Sequence, residues 1–448
     1  MNTFELDKKF VWHPCTQMKD HEIQPPIEIK SGKGCYLYDS TGKKYIDGIS
    51  SWWVNLLGHC NPRLTSALQK QAEQLEHVIF AGFTHENGSR LAAELCRIAP
   101  GNPKKVFYSD CGSAAVEVAL KMSFQFRKLS GNPKKNRFVS ISGAYHGETL
   151  GALSVGGIGL YRETFSPIML DTFNVEGPDC FRCPYGKTRD NCSAECFEKM
   201  KNTLEKYADE VTAVFIEPLV QCANNMNIYS PIYLKKLRET TKRLDIHLVA
   251  DEIAVGFGRT GKMFACEHVD IQPDFICMSK GLTGGYMPFA ATLVYDENIF
   301  NAFYGEYTEY KAFYHSHSYT GNPMAASLGI EVIQILEKEI MPALPEKIRA
   351  LTEILENLKN LPNVGEVRQC GFIGAVELVE DPKAKKPFPP EERIGWNIYR
   401  EALTNGAILR PLGDVIYFLT PLTISIDTLK ELGKIAEKSI TKIIKNRK

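Results

Sequence analysis

Lys280 closes an apolar run, D-F-I-C-M-S-K-G, and Asp251 closes another, I-H-L-V-A-D-E. An amine at one strand end and a carboxylate at a second suit imine chemistry. The amine forms a Schiff base with a cofactor aldehyde, while the acid pairs with a protonated ring nitrogen and keeps the ring an electron sink. A pyridoxal phosphate (PLP) site needs this pair. Lysines also flank buried strands simply as solvated ends, so the two residues alone leave both readings open.

Other residues add to the pattern. S-D-C-G-S-A-A-V-E-V-A-L-K (109–121) follows a strand and opens a helix. Gly112 tolerates special backbone angles and Ser113 is a natural N-cap. Backbone N–H groups at such a start bind an anion such as a phosphate, although an ordinary cap has the same look. The segment is neither a P-loop nor G-x-G-x-x-G, which disfavours a nucleotide. Tyr145, in G-A-Y-H-G-E-T, has a ring that can stack on a flat cofactor, or else pack as a strand-end aromatic. Glu217 and Gln221 end a further run and can reach a cofactor edge; Glu217 also reads as half of a buried ion pair.

The elements that must position these residues are β-rich runs at 105–109, 137–141, 212–217, 247–251, 274–278 and 289–294. Helical spacing lies between them, as in Val118, Ala119, Met122 and Phe126. The alternation predicts an α/β fold with a mostly parallel sheet covered by helices. Gly112, Ser113, Tyr145, Glu217, Asp251 and Lys280 all fall at the carboxyl ends of successive strands, where open α/β sheets bind ligands. Three regions follow: 1–60 as the N-terminal part of a small domain, 61–330 as the large domain, and 331–448 as the C-terminal part of the small one. The stretch E-D-P-K-A-K-K-P-F-P-P-E-E (380–392) reads as a surface loop and the last ~20 residues as an amphipathic helix.

Composition narrows the classes. Lys+Arg and Asp+Glu both number 53 in 448 residues, so no basic excess favours nucleic acid or an anionic membrane. The first residues are too charged for a signal peptide, and no apolar run approaches the ~18 residues of a membrane span. The 13 cysteines, several of them in core segments, suggest reduced thiols in a cytoplasmic protein.

A-D-E-I-A-V-G-F-G-R-T-G-K-M-F-A-C-E-H (250–268) followed by S-K-G-L-T-G-G-Y (279–286) resembles the class III, or ω-, aminotransferases. The likeness runs from W-H-P-C-T-Q-M (12–18) to R-P-L-G-D-V-I-Y (410–417). It implies the fold type I architecture of PLP-dependent transferases, PLP as cofactor, ping-pong transamination, and a homodimer with shared active sites. Within the class, D-G-I-S-S-W-W (47–53), H-S-Y-T-G-N-P (317–323) and R-P-L-G-D-V-I (410–416) are most similar to the biotin-pathway branch. That branch implies 8-amino-7-oxononanoate as amino acceptor and S-adenosylmethionine or lysine as donor. An ω-amino acid or diamine aminotransferase is the alternative within the class; the double tryptophan argues against it.

Carried over by residue, the resemblance gives Gly112 and Ser113 to the PLP phosphate, Tyr145 to the ring face, Asp251 to the pyridinium and Lys280 to the Schiff base. His317 and Ser318 would reach the cofactor phosphate of the neighbouring subunit. Trp52, Ser316 and Arg410 would contact substrate, Arg410 clamping its carboxylate with two parallel hydrogen bonds. Trp52 as plain core, and Arg410 as a structural ion pair, remain the simpler readings. Cys15 stands where some members carry an aromatic ring at the substrate pocket. C-F-R-C-P-Y-G-K-T-R-D-N-C-S-A-E-C (180–196) has the C-x2-C-x8-C-x3-C spacing of a four-thiolate metal site, but a loop of reduced thiols is the favoured reading and no metal is expected.

Overall fold

The computed structural model describes residues 1–447. Its centre is a seven-stranded sheet built from β1 (Lys105–Ser109), β2 (Arg137–Ile141), β3 (Thr172–Val175), β4 (Val211–Ile216), β5 (His247–Asp251), β6 (Phe275–Met278) and β7 (Ala290–Val294). The order across the sheet is β1-β7-β6-β5-β4-β2-β3. Only β7 runs antiparallel to its neighbours; β6-β5, β5-β4, β4-β2 and β2-β3 are parallel. The expected mostly parallel sheet is therefore present. Its inner strands are apolar runs buried throughout, as T-A-V-F-I in β4, because helices cover both faces. The edge strand β3 was not anticipated: T-F-N-V is short and carries polar residues at alternate positions.

Helix α1 (Gly112–Leu129) starts just beyond β1. Its buried stripe of Ala115, Val118, Ala119 and Met122 packs on Phe138, Phe215, Val249 and Phe275 of the sheet. Full burial of one such valine or phenylalanine is worth roughly 1.5–3 kcal/mol, so this face holds the helix start firmly at the sheet edge.

The chain's two ends meet in a second sheet. Strands Ile29–Lys33, Tyr36–Asp39 and Lys44–Asp47 are completed by Ala407–Ile408, which pairs in parallel with Ile46 and Asp47. A third sheet, Val364–Cys370, Ile373–Leu378 and Val415–Phe418, lies beside helix Met341–Lys359, on which helix Ile426–Lys445 packs in turn. The last of these is the amphipathic C-terminal helix expected from the sequence, with Leu429, Leu432, Ala436 and Ile440 buried along one stripe. The cysteine-bearing loop is tied to the third sheet by Arg182, which donates to Glu377 at 2.6 Å, and to the loop after it by Lys385, which donates to the Phe181 carbonyl at 2.6 Å. No helix among the described residues is long and apolar enough to cross a membrane.

Candidate active site

Parallel strands deliver their carboxyl ends to one edge of the sheet, and the chemistry-bearing residues collect there. Asp251 is the last residue of β5 and pairs in register with Cys277 of β6. Two residues past β6 the chain turns sharply at Lys280, which has a left-handed φ of +44°. Ser279 anchors that turn by donating its hydroxyl to the Phe289 carbonyl at 2.7 Å. A lysine held in this conformation is strained, and such strain persists where the surrounding structure over-determines it.

Lys280, Asp251, Gly112, Ser113, Tyr145, His146, Gly147, Glu217 and Trp53 line one cavity of about 150 Å³. The Asp251 carboxylate is held from both sides: His146 Nδ1 lies 2.7 Å from Oδ2, and the Ile253 N–H donates to Oδ1 at 3.0 Å. With Nδ1–H given to Asp251, His146 Nε2 is buried without a partner. Glu217 sits just beyond β4 and accepts the N–H groups of Tyr145 and Cys222, each at 3.0 Å. It therefore caps backbone beneath the cavity rather than forming the buried ion pair considered from sequence. Gln221 does not line the cavity: it donates to the Ser142 carbonyl at 3.2 Å and accepts from Asn224 and Asn227.

Burial shifts the ionisable groups in opposite senses. It lowers the Lys280 ammonium from its ordinary value, against the opposing pull of Asp251, and so favours the neutral, nucleophilic amine. It raises Glu217 to about 7, an effect the nearby Asp251 reinforces while His146 opposes it. A carboxyl raised in the folded state binds its proton more tightly folded than unfolded. Its contribution to stability is then fullest below the unfolded value and is lost as pH climbs to the folded one. The unfolding free energy of cofactor-free wild type, relative to Glu217→Gln, should fall by up to about 3 kcal/mol between about pH 4.5 and 7. Urea midpoints across that range measure it.

Helix α1 places the other end of the cavity. Its N-cap is Cys111 and no side-chain cap closes it. Ser113 is thus not the cap expected from sequence but a first-turn residue, whose hydroxyl accepts the Glu148 N–H at 3.3 Å. The loop after β2 approaches so closely that a Cβ on Gly147 would lie 2.0 Å from Ser113 Oγ. Uncapped N–H groups, a held carboxylate and a buried amine match the phosphate, ring nitrogen and aldehyde of PLP in turn. The residues present fit that cofactor.

A second cavity of about 300 Å³ opens from Lys280 between Trp52, Trp53, Tyr145, Glu148, Tyr161, Cys15 and Arg410. Arg410 stacks on the Trp52 ring at 4.7 Å and makes no ion pair among the described residues, so the structural-pair reading is set aside. Trp52 is 42% exposed and is not core. Across the cavity, Glu148 accepts the Tyr145 hydroxyl at 3.2 Å, and the Cys15 thiol lies 3.8 Å from Glu148 and 3.7 Å from the Tyr161 hydroxyl. The sequence marked neither Glu148 nor Tyr161; nothing in G-I-G-L-Y-R sets that tyrosine apart.

Trp52 and Trp53 stand on an unusual piece of backbone. Ser50, Ser51, Trp52 and Trp53 have φ of +51°, +45°, +68° and +73°. Left-handed backbone costs a non-glycine residue roughly 1–2 kcal/mol, so four in succession need strong external anchors. The turn sets Trp53 beneath the amine, with Lys280 Nζ 5.0 Å from its ring centroid, and turns Trp52 toward Arg410.

Ser316, His317 and Ser318 line neither cavity of their own chain. His317 Nδ1 lies 2.8 Å from Asp110, and His315 faces Lys121 at 3.1 Å. The thiols of Cys180, Cys183, Cys192 and Cys196 are free, and no group of three or more metal-ligating side chains occurs among the described residues.

Comparison with known proteins gives a consistent result. The family model described as "Aminotransferase class-III" matches residues 17–440. The adenosylmethionine-8-amino-7-oxononanoate aminotransferase of Geobacter sulfurreducens is 46% identical over 97% of this chain and 96% of its own. The crystal structure of the Methanocaldococcus jannaschii enzyme of the same name superposes with a TM-score of 0.93 at 36% identity, covering 98% of each chain. An ω-transaminase from Pseudomonas jessenii in complex with PMP gives a TM-score of 0.94 at 28% identity, covering 99% of each chain. A sequence match along nearly the whole length, joined to a shared fold, makes this chain a member of the class-III aminotransferase family.

Proposed function

We propose that this protein transfers an amino group to 8-amino-7-oxononanoate, forming 7,8-diaminononanoate for biotin synthesis, with S-adenosylmethionine or lysine as donor. The acceptor rests on one observation: near full-length similarity, at 46% identity, to a relative named for that reaction. The reaction type is supported by the amine–carboxylate pair at the strand ends. When bound, PLP supplies an aldehyde for the amines and an electron sink for the charge left on proton removal. Asp251, held by His146, would keep the ring nitrogen protonated. Lys280 Nζ, once free, would take the proton from the amine-bearing carbon of the donor. In the second half-reaction it would return a proton to the carbon that carried the acceptor's keto group. Trp53 and Tyr145 would close the site to water from either side.

Arg410 would bind the carboxylate that acceptor and donor both carry, since its guanidinium has no ion-pair partner among the described residues and lies over the Trp52 ring. Glu148, at the other wall, suits the amino or cationic group that each of these substrates carries besides its reacting group. Removing one partner of a buried, hydrogen-bonded charge pair costs 2–5 kcal/mol. Arg410→Ala should therefore lower kcat/KM by about 30- to 5000-fold, mostly through KM, in steady-state assays. Separate saturation curves with S-adenosylmethionine and with lysine, acceptor held constant, decide the donor.

The segment bearing Ser316, His317 and Ser318 would complete the site of a second copy. In support, it lines neither cavity of its own chain and is flanked by exposed Tyr304, Tyr307, Tyr310, Tyr314 and Tyr319. Sedimentation should then give a dimer of about 100 kDa, twice the chain's 50.3 kDa.

A further inference from the structure

We infer that Asp47 and His59 are a positioning pair for substrate binding: they pin the left-handed turn at 50–53 and so hold Trp52 against Arg410. The inference rests on the reading of Arg410 as the carboxylate site.

Asp47 is the last residue of its strand and fully buried. One carboxylate oxygen accepts the backbone N–H groups of Ser51 at 2.9 Å and Ile49 at 3.3 Å. The other accepts the Ser51 hydroxyl at 2.7 Å and faces His59 Nε2 at 3.0 Å. Asn55 Nδ2 lies 2.7 Å from His59 Nδ1, so the imidazole is held between Asn55 and Asp47. The turn is also fastened beyond this carboxylate. Trp53 N–H donates to the Ile49 carbonyl at 2.9 Å, Asn55 N–H to the Ser50 carbonyl at 3.0 Å, and the Trp53 indole to the Tyr417 hydroxyl at 3.1 Å.

The placement divides the work. Trp53 has its own anchors in Tyr417 and the surrounding core, so the Lys280 side of the turn is doubly held. Trp52 is exposed to the substrate cavity, and among the described residues its only ring contact of this kind is the Arg410 guanidinium. Its backbone is fixed from the Asp47 side through Ser51. Loosening Asp47 therefore frees the ring over which Arg410 lies, while the cofactor end of the site keeps its geometry. The expected signature is a loss of carboxylate affinity without a matching loss of turnover.

The test uses Asp47→Asn, His59→Gln and Arg410→Ala holoenzymes, with nonanoate as an unreactive straight-chain carboxylate. Calorimetry gives its Kd, and steady-state assays give kcat and KM for 8-amino-7-oxononanoate. The pair variants should take up cofactor as the wild type does. They should bind nonanoate at least 10-fold more weakly and raise KM at least 10-fold, with kcat within 3-fold. Combined with Arg410→Ala, Asp47→Asn should add less than 2-fold to either loss. If Arg410→Ala weakens nonanoate but the pair variants stay within 2-fold of wild type, the positioning role is overturned. Lowered cofactor uptake or thermal stability with unchanged KM would show a merely structural role and equally overturn it. If Arg410→Ala itself leaves nonanoate binding unchanged, the carboxylate reading falls, and the proposal with it. Should Asp47→Asn fail to fold, His59→Gln and Ser51→Ala carry the same comparison.

Discussion

Lys280→Ala is expected to lower kcat by about 10²–10⁴-fold or more, the typical worth of a positioned proton-transfer group, without unfolding the protein. The side chain lies at the junction of both cavities, with its charge disfavoured by burial. Its removal would take away the proposed covalent anchor and proton-moving group, yet leave Asp251, Glu217 and helix α1 in place. Borohydride treatment of the wild type should trap cofactor on a peptide containing Lys280, and mass spectrometry should find no such adduct in the variant. Wild-type turnover by Lys280→Ala would exclude the mechanism.

Asp251→Asn is expected to lower kcat by about 10²–10³-fold, on the scale seen when one preorganised electrostatic partner is removed from an active site, with KM little changed. Asparagine keeps the shape but not the charge, and sets an amide where His146 Nδ1 now meets a carboxylate at 2.7 Å. A second effect has a definite sign. Asp251 opposes the downward shift that burial imposes on Lys280. Without it, the amine loses its proton at lower pH, so the acid limb of cofactor uptake by the cofactor-free protein moves to lower pH. Stopped-flow absorbance across pH measures that limb. A shift to higher pH would contradict the charge arrangement.

What could be read from the sequence follows from the sheet. Parallel strands buried on both faces are continuous apolar runs, and the first one or two polar residues at the end of each run are already at the ligand-binding edge. Asp251, Glu217 and Lys280 therefore stand out as soon as the runs are marked, and Gly112 shows where α1 begins. The hidden part depends on long-range contact or on backbone that residue preferences oppose. His146 follows Tyr145 directly, but its partner Asp251 is 105 residues away. Four left-handed residues in S-S-W-W contradict every local propensity, so neither that turn nor the Asp47–His59 pair beneath it has a sequence signature. Ser113 looked like a cap because serine commonly is one; the close approach of Gly147 recruits its hydroxyl instead.

The central claim is that the amine at 280 and the cavity beside it aminate 8-amino-7-oxononanoate. The direct measurement is to incubate the purified, PLP-loaded protein with that acceptor and either S-adenosylmethionine or lysine, and to quantify product by mass spectrometry. The account predicts 7,8-diaminononanoate with at least one donor, and none from Lys280→Ala. No product with either donor, from protein that carries its cofactor on Lys280, would contradict it.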